Sequence, residues 1–258
     1  MMNDRDNKGL LYAERMKNII TLNSVSSTNL YLKELKDAPH GTVVSSLRQT
    51  SGRGRGTNSF YSPENEGVYM SYLLRNQTFE QLNSVTPRCA VAVKRALERA
   101  CGIGAAIQIK WVNDLLINNK KVCGILSQAV FENGDPRVIV GIGINVLQKK
   151  ESFPQDIADK ATSLLIQTEK MFDINSIMLS VVQCMDEIFD IGEDCFEEYE
   201  RNCLTIGKRC KVITENTEKT AVVLGLNRDY SLSVRYDDGR TENVNSGQVS
   251  IRGFDGYF

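Results

Sequence analysis

The sequence holds one histidine, one tryptophan and five prolines in 258 residues, and no two cysteines stand in Cys-x-x-Cys spacing. A single histidine excludes a multi-histidine metal centre and argues against a His-based nucleophile triad. Any catalysis must then rest on Arg, Lys, Asp, backbone amides or a bound metal. The seven cysteines, at 89, 101, 123, 184, 195, 203 and 210, are odd in number and lie mostly among apolar residues. That pattern suits reduced thiols better than a disulfide scaffold. No run approaches the ~20 apolar residues of a membrane span. The first 17 residues are polar and lack the apolar centre of a signal peptide. A cytoplasmic protein without membrane contact is therefore expected. An excess of one charge is also missing: 31 Lys+Arg stand against 32 Asp+Glu, a net charge of −1. A generic polyanion binder would carry a basic surplus, although a local basic loop remains compatible with this balance.

What is present is ordinary globular composition, 41% hydrophobic and 24% charged. This excludes a disordered, collagenous or coiled-coil protein. The length is long for one domain of ~100–150 residues and short for two, so a large domain followed by a small one is expected. Residues 1–17 read as a frayed lead-in. A helix is expected over 28–36, starting at Thr28 or Asn29 with Leu30, Leu32 and Leu35 on one side. Strands are expected at 42–48, 67–75, 106–110, 113–118, 121–131 and 137–147, with turns at 118–120 and 132–136. Residues 84–101 have helical period, with Pro87 placed for the first turn and Gly102 for the end. Residues 161–168 and 175–200 read as helices, the acidic stretch Asp186–Glu200 as a solvated face, and His40 as a loop residue without a chemical role. From Gly207 onward, short alternating runs separated by turn signals suggest a small β-barrel of ~50 residues.

The most informative segment is Gly52-Arg53-Gly54-Arg55-Gly56, which lies between two strands. Alternating glycines let the backbone approach a ligand and turn N–H groups toward an anion. Arginine adds charged forks suited to phosphate and carboxylate. The Gly-Lys-Ser/Thr ending of a Walker loop is missing, and the run opens onto a strand rather than the helix of a dinucleotide fold. Composition alone favours a flexible or RNA-contacting Arg-Gly loop, but a repeated Arg-Gly tail is usually terminal and longer, and this one is short and internal. Next, Lys110-Trp111-Val112-Asn113-Asp114 puts a cation, an aromatic ring, an amide and a carboxylate in five positions. It reads either as a strand-connecting turn with a core tryptophan or as a cation- or Mg²⁺-orienting segment. In Lys120-Lys121-Val122-Cys123-Gly124-Ile125-Leu126, alternation places Lys121, Cys123 and Ile125 on one face and Gly124 on the other. A glycine inside a strand often marks where a ligand comes close. Gly141-Ile142-Gly143-Ile144-Asn145 repeats the signal, and the two runs suggest a ligand lying flat across neighbouring strands.

Taken in order, Ser26-Ser27-Thr28-Asn29, Gln49, the 52–56 run, 110–114, 120–126, 141–145 and the C-terminal strand-rich segment resemble the biotin–protein ligase family along nearly the whole chain. The resemblance implies an α+β fold: a mixed β-sheet flanked by helices, like a class II tRNA synthetase, over 1–205, and an SH3-like barrel over 206–258. It implies an enzyme that joins biotin to ATP as biotinyl-5′-AMP and passes the biotinyl group to a lysine of a biotin carboxyl carrier protein, with Mg²⁺ assisting. By the family's motifs, Ser27, Thr28, Asn29 and Gln49 border the biotin ureido ring. Gly52, Arg53, Gly54 and Arg55 close over the carboxylate and the adenylate phosphate. Lys121 contacts the carboxylate, and Gly124, Gly141 and Gly143 form a floor. Lys110, Trp111, Asn113, Asp114 and Asn145 line the nucleotide side with Arg53, Arg55 and Phe60. Arg53, Arg55, Lys121 and Asp114 are the implied catalytic set, Asp114 orienting or deprotonating the acceptor amine.

The sequence departs from the family's bacterial pattern where Thr57-Asn58 and Phe60 replace a second Gly-Arg pair and a tryptophan, and where Val112 replaces a proline. Phe60 is left to stack on adenine with less area than Trp. The first motif begins by Ser26, so no operator-binding winged helix, and hence no DNA partner, is expected. A homodimer is compatible with the family. The alternatives are a lipoate–protein ligase, whose loop is richer in plain glycine, and a non-catalytic RNA-binding or adaptor protein.

Overall fold

Residues 18–132, 135–247 and 249–254 are described by a computed structural model. The lead-in at 1–17 and the centre of the 132–136 turn lie outside them. Seven strands make the first sheet: β1 (Ile19–Leu22), β2 (Val43–Ser46), β3 (Gly67–Leu74), β4 (Gln108–Lys110), β5 (Asp114–Ile117), β6 (Lys120–Glu132) and β7 (Asp135–Asn145). Their spatial order is β1-β2-β3-β7-β6-β5-β4. β1 and β2 run parallel and the other neighbours antiparallel, so the sheet is mixed. The β5–β6 hairpin turns through Asn118 and Asn119 at φ 49° and 59°. Asparagine tolerates this left-handed pair, which matches the strand twist.

Alternation along the strands divides two cores. Val43, Tyr72, Val138, Val140 and Ile142 point to one face, beneath α2 (Leu82–Cys101) and α4 (Ile174–Ile191), with their buried Val91, Leu97, Val181 and Ile188. Val44, Leu73 and Ile139 point to the other and meet Leu32 of α1 (Thr28–Glu34). Beyond α1, that second face carries Gly141, Gly143, Gly124, Asp114 and Lys110 in laterally paired register. It is the floor of the site.

α2 begins at Leu82, so Pro87 falls in its second turn rather than the first, while Gly102 ends it at φ 68° as expected. The 104–106 segment is a 3₁₀ turn, which delays β4 to Gln108. A short helix, α3 (Leu164–Thr168), is capped by Ser163. The single helix expected over 175–200 is two, α4 and α5 (Phe196–Asn202), because Gly192 at φ 74° ends the first. The acidic stretch is not a bare solvated face. Glu187 pairs with Arg99, Glu193 and Glu198 both pair with Arg95, and Asp186 accepts from the Tyr72 hydroxyl. These contacts sew α4 and α5 to α2 and the sheet. His40 bonds Asp190 through Nε2 and accepts the Arg75 backbone N–H at Nδ1, away from the floor.

A second, antiparallel sheet follows: β8 (Arg209–Ile213), β9 (Glu218–Leu226), β10 (Leu232–Tyr236), β11 (Thr241–Val244) and β12 (Ser250–Arg252), in the order β11-β10-β9-β8-β12. Trp111 joins the two sheets. Its backbone N–H donates to Thr205 Oγ1 at 3.0 Å and its indole N–H to the Tyr230 carbonyl at 2.8 Å. The apolar core is continuous from the first sheet through Trp111 to Val212 and Val234.

Candidate active site

The glycine–arginine loop is a small folded hairpin. Arg53 bridges Ser59, Gly54 N–H donates to the Asn58 carbonyl at 2.8 Å, and Phe60 N–H donates to the Gly52 carbonyl at 2.9 Å. A Cβ on Gly52 would stand 2.4 Å from the Phe60 carbonyl oxygen, so the turn requires glycine there. The loop base is tied to the start of α1. Gln49 Oε1 accepts from Thr28 N at 2.9 Å and Oγ1 at 3.2 Å, and Gln49 Nε2 donates to Ser62 Oγ at 3.0 Å. Ser27 is buried at the N-cap, its side chain making no cap bond. The loop tip reaches the second sheet, where Arg55 Nη2 donates to the carbonyls of Ser246 and Val249. Arg53 is exposed on the outer side.

Charge converges at the edge of the floor. Lys121 Nζ lies 2.7 Å from Asp114 Oδ1, and Asn113 Nδ2 donates to the same oxygen at 3.1 Å. Lys110 pairs with Asp114 across β4 and β5 and is 8% exposed. Burial pulls its ammonium down to about 8; Asp114 opposes the shift, while Lys121, Arg252 and Arg55 add to it. Burial also lowers the Arg55 guanidinium, again opposed by Asp114. Cations from the first sheet and the loop thus act on one carboxylate, and Arg252 of the second sheet acts on Lys110. Such a cluster suits a ligand that brings several negative charges. Arg252 was not singled out from the sequence; its only signal was a lone arginine in a short C-terminal strand.

Several expectations need correction. Alternation put Lys121 on the Cys123 face, yet its Nζ lies 2.8 Å from where a Gly124 Cβ would stand. The cause is a bulge: Leu115 pairs with Cys123 but Leu116 with Lys121, leaving Val122 as the extra residue. Phe60 does not stand free for adenine. Its ring lies on the floor, where a Gly143 Cβ would be 2.5 Å from ring carbon Cε1 and a Gly124 Cβ 3.2 Å from Cε2. Gly141 does not offer open floor either, because a Cβ there would meet Asn29 Oδ1 at 2.3 Å. The Asn29 amide occupies that space, donating to Gln128 Oε1 at 3.0 Å and to the Leu126 carbonyl at 3.3 Å. Trp111 is 3% exposed, and its ring N–H is bonded within the junction between the sheets, not turned to the nucleotide side. Asn145, 4% exposed, donates to the Thr162 carbonyl and closes a loop. Two residues missed from sequence also shape the site. The fully buried Ser71 hydroxyl faces Thr28 Oγ1 at 2.7 Å and Asn29 Oδ1 at 2.6 Å, and Gln128 anchors Asn29. Ser71 was visible as the lone serine within an otherwise apolar and aromatic strand.

A cavity of about 270 Å³ bordered by Thr21, Ser45, Tyr69 and Met178 shares no lining residue with this cluster. Among the described residues, no three His, Cys, Asp or Glu side chains converge on a metal position, and no helix is long and apolar enough to cross a membrane.

Residues 21–145 match the model of the biotin/lipoate A/B protein ligase family. The bifunctional ligase/repressor BirA of Bacillus spizizenii is 34% identical over 232 residues, covering 86% of this chain and 71% of that protein. The biotin–[acetyl-CoA-carboxylase] ligase of Mycobacterium tuberculosis is 26% identical, with 81% of this chain and 78% of the relative aligned. Among solved structures, a biotin protein ligase from Aquifex aeolicus in complex with biotin and ATP superposes with a TM-score of 0.77 at 31% identity, covering 92% of this chain and 99% of that one.

Proposed function

The chain belongs to the biotin protein ligase family, and from that premise we infer that it activates biotin with ATP and transfers the biotinyl group to a lysine of a carrier protein. In the first step a biotin carboxylate oxygen attacks the α-phosphorus, and the bond to pyrophosphate breaks. In the second, a neutral acceptor amine attacks the acyl carbon, AMP leaves and the amine gives up a proton. Neither step needs histidine, since the biotin carboxylate is already ionised at neutral pH. The observation that carries the reading is the cluster of Lys110, Lys121 and Arg55 around Asp114, with Arg252 acting on Lys110, at the edge of a glycine floor and beside a glycine–arginine loop.

Those residues fit the chemistry. Lys121, set over Gly124, is placed to meet the carboxylate and later the acyl carbonyl. Arg55 and Lys110 face the phosphate side, where they offset the repulsion between two anions. Arg53 is the outer arm of the loop. Asp114 is bonded to Lys121 and Asn113, which favours an orienting role over proton abstraction. Thr28 and Gln49, already bonded to each other, supply the polar edge for a ureido ring, with Ser27 beside them. With no carboxylate cage among the described residues, Mg²⁺ would come with the nucleotide, held mainly by its phosphates with Asp114 in reach. When bound, it neutralises phosphate charge. The acceptor is proposed to be a biotin carboxyl carrier domain. The second sheet is proposed to be an SH3-like barrel spanning 206–258, and 1–205 the catalytic domain. A cytoplasmic setting and a homodimer agree with this reading. Only the ligase activity of the bifunctional relative is carried over.

The test is ATP–pyrophosphate exchange with biotin, with lipoate and with neither, followed by transfer of labelled biotin to a carrier domain. Biotin-dependent exchange and labelling of a single lysine are expected. Exchange driven by lipoate alone would move the assignment to the lipoate ligases, and silence with both acids would refute an acyl-adenylate enzyme.

A further inference from the structure

We propose that Arg137 is a positioning residue for the acid-binding site, acting from the far end of α1. It rests on the functional reading above. Its guanidinium lies on β7, is 3% exposed, and grips the end of α1 and the chain just after it. Nη2 donates to the Lys33 carbonyl at 2.9 Å, and Nη1 donates to the Leu35 and Lys36 carbonyls at 2.9 and 3.1 Å. A helix end leaves its last carbonyls without intrahelical partners; here the Leu35 carbonyl also accepts the Ala38 N–H, and a charged fork is a strong group to complete the set.

The hold matters because the C-terminal turn of α1 has no other side-chain donor on the Lys33 and Leu35 carbonyls among the described residues. The helix has seven residues, and Ser27 makes no side-chain cap. A helix this short does not persist without tertiary support. Its apolar support is Leu32 in a small cluster with Val44, Leu73 and Ile139. Just past the helix Arg75 shares the hold on the chain, donating to the Lys36 and Ala38 carbonyls, but it reaches no carbonyl of the helix itself. At the other end Asn29 sits over Gly141 and bonds Gln128, the Leu126 carbonyl and Ser71, and Thr28 bonds Gln49. Gly141 and Arg137 are on the same face of β7, four residues or about 13 Å apart. Asn29 and Leu35 are separated by about 9 Å of helix. The arginine side chain spans the difference, so one strand fixes both ends of α1. Thr28, the partner of Gln49, is at the end opposite the arginine. Releasing the Arg137 end lets the helix tilt about Asn29 and misplaces Thr28 and Ser27, while Lys110, Lys121 and Arg55 stay where they are.

The experiment compares Arg137→Met, Arg137→Lys and Val182→Ala, the last a cavity in the opposite core. Biotin Kd by calorimetry, ATP KM in the exchange assay, and Tm are measured for each. Arg137→Met is expected to weaken biotin about tenfold, with ATP KM within about twofold, and Arg137→Lys to recover part of the loss, one ammonium serving fewer carbonyls than a fork. Val182→Ala is expected to lower Tm and leave biotin affinity within about twofold. Arg137→Met with unchanged biotin affinity, or with biotin and ATP weakened equally, overturns the proposal. Should Arg137→Met fail to fold, Arg137→Lys decides: a selective loss of biotin affinity supports the role, and wild-type affinity overturns it. Wild-type protein that binds no biotin would instead refute the functional reading.

Discussion

Gly141→Ala separates two explanations of a glycine on the site floor. If glycine is there to let a ligand lie flat, the added methyl obstructs the ligand and little else. If it is there for Asn29, the methyl disrupts the protein itself. The geometry favours the second. The new Cβ would lie 2.3 Å from Asn29 Oδ1 and 3.0 Å from its Cγ. Ordinary contact needs about 1 Å more, and a buried side chain this short has nowhere to retreat without losing its bonds. At risk are the 2.6 Å bond from Ser71 and the bonds to Gln128 and the Leu126 carbonyl. At ~1 kcal/mol for each bond, with a further penalty if Ser71 is left unsatisfied, a loss of about 2–3 kcal/mol is expected. For a domain of this size that lowers Tm by roughly 4–10 °C. The assay is a double-mutant cycle in urea with Asn29→Ala. Once the asparagine is gone the methyl has room, so the double variant should be no less stable than Asn29→Ala alone. Additive losses would refute the reasoning and return Gly141 to the ligand floor.

Lys121→Ala should abolish biotin-dependent pyrophosphate exchange while leaving the protein folded; a normal exchange rate would show the lysine to be misplaced. Lys110 gives a pH signature: its folded value of about 8 lies below the usual lysine range, so its charged form costs stability below pH ~8 and that cost is relieved as pH rises toward 10.5. An arriving polyphosphate reverses the shift, so ATP binding between pH 8 and 9 should take up a proton and weaken as pH rises. Calorimetry in buffers of different ionisation enthalpy would read this, and equal uptake in Lys110→Met would refute it. Phe60→Ala clears the ring from Gly143 and Gly124 and should raise the biotin association rate several-fold, by removing a contact the ligand must displace; an unchanged rate would place the ring outside biotin's path. Arg55→Gly cuts the loop from Ser246 and Val249, so biotinyl-AMP should leak and the 49–60 loop should become protease-sensitive even with adenylate bound; equal release and cleavage in variant and wild type would count against the latch.

Most strands of both sheets and the helix over 82–101 were legible because their information is local; the edge strands β1 and β11 were not expected. Val138, Val140 and Ile142 alternate with Ile139 and Gly141, and that alternation is the two-faced sheet. The glycine–arginine loop was legible as a glycine-dependent turn between two strands because its signal is contained in five residues. What was misread depends on contacts distant in sequence. Lys121 changes face through a one-residue bulge set by the partner strand, which no alternation count within β6 contains. Trp111 looked like a nucleotide residue beside Asp114, but Tyr230, 119 positions away, takes its indole N–H. Gly141 and Gly143 carried a correct signal of close approach. The approaching groups are Asn29 and Phe60, and only the folded chain identifies them.

The loop is better understood as a strap between two bodies than as a flap over one. Its base is fixed to α1 through Gln49 and Thr28, and its tip to the second sheet through Arg55. If the two sheets swung freely, such a strap would fix nothing. They are joined instead, because Trp111 is buried between them with its indole N–H bonded to the Tyr230 carbonyl, and the apolar core runs through unbroken. Opening the site therefore means breaking the Arg55 bonds, not moving a domain. The same guanidinium that latches the loop lies among the charges around Asp114 and is depressed by burial. An anion entering that cluster offers it a better partner than two neutral carbonyls. Retention of a bound anion and attachment of the loop are therefore expected to depend on the same side chain.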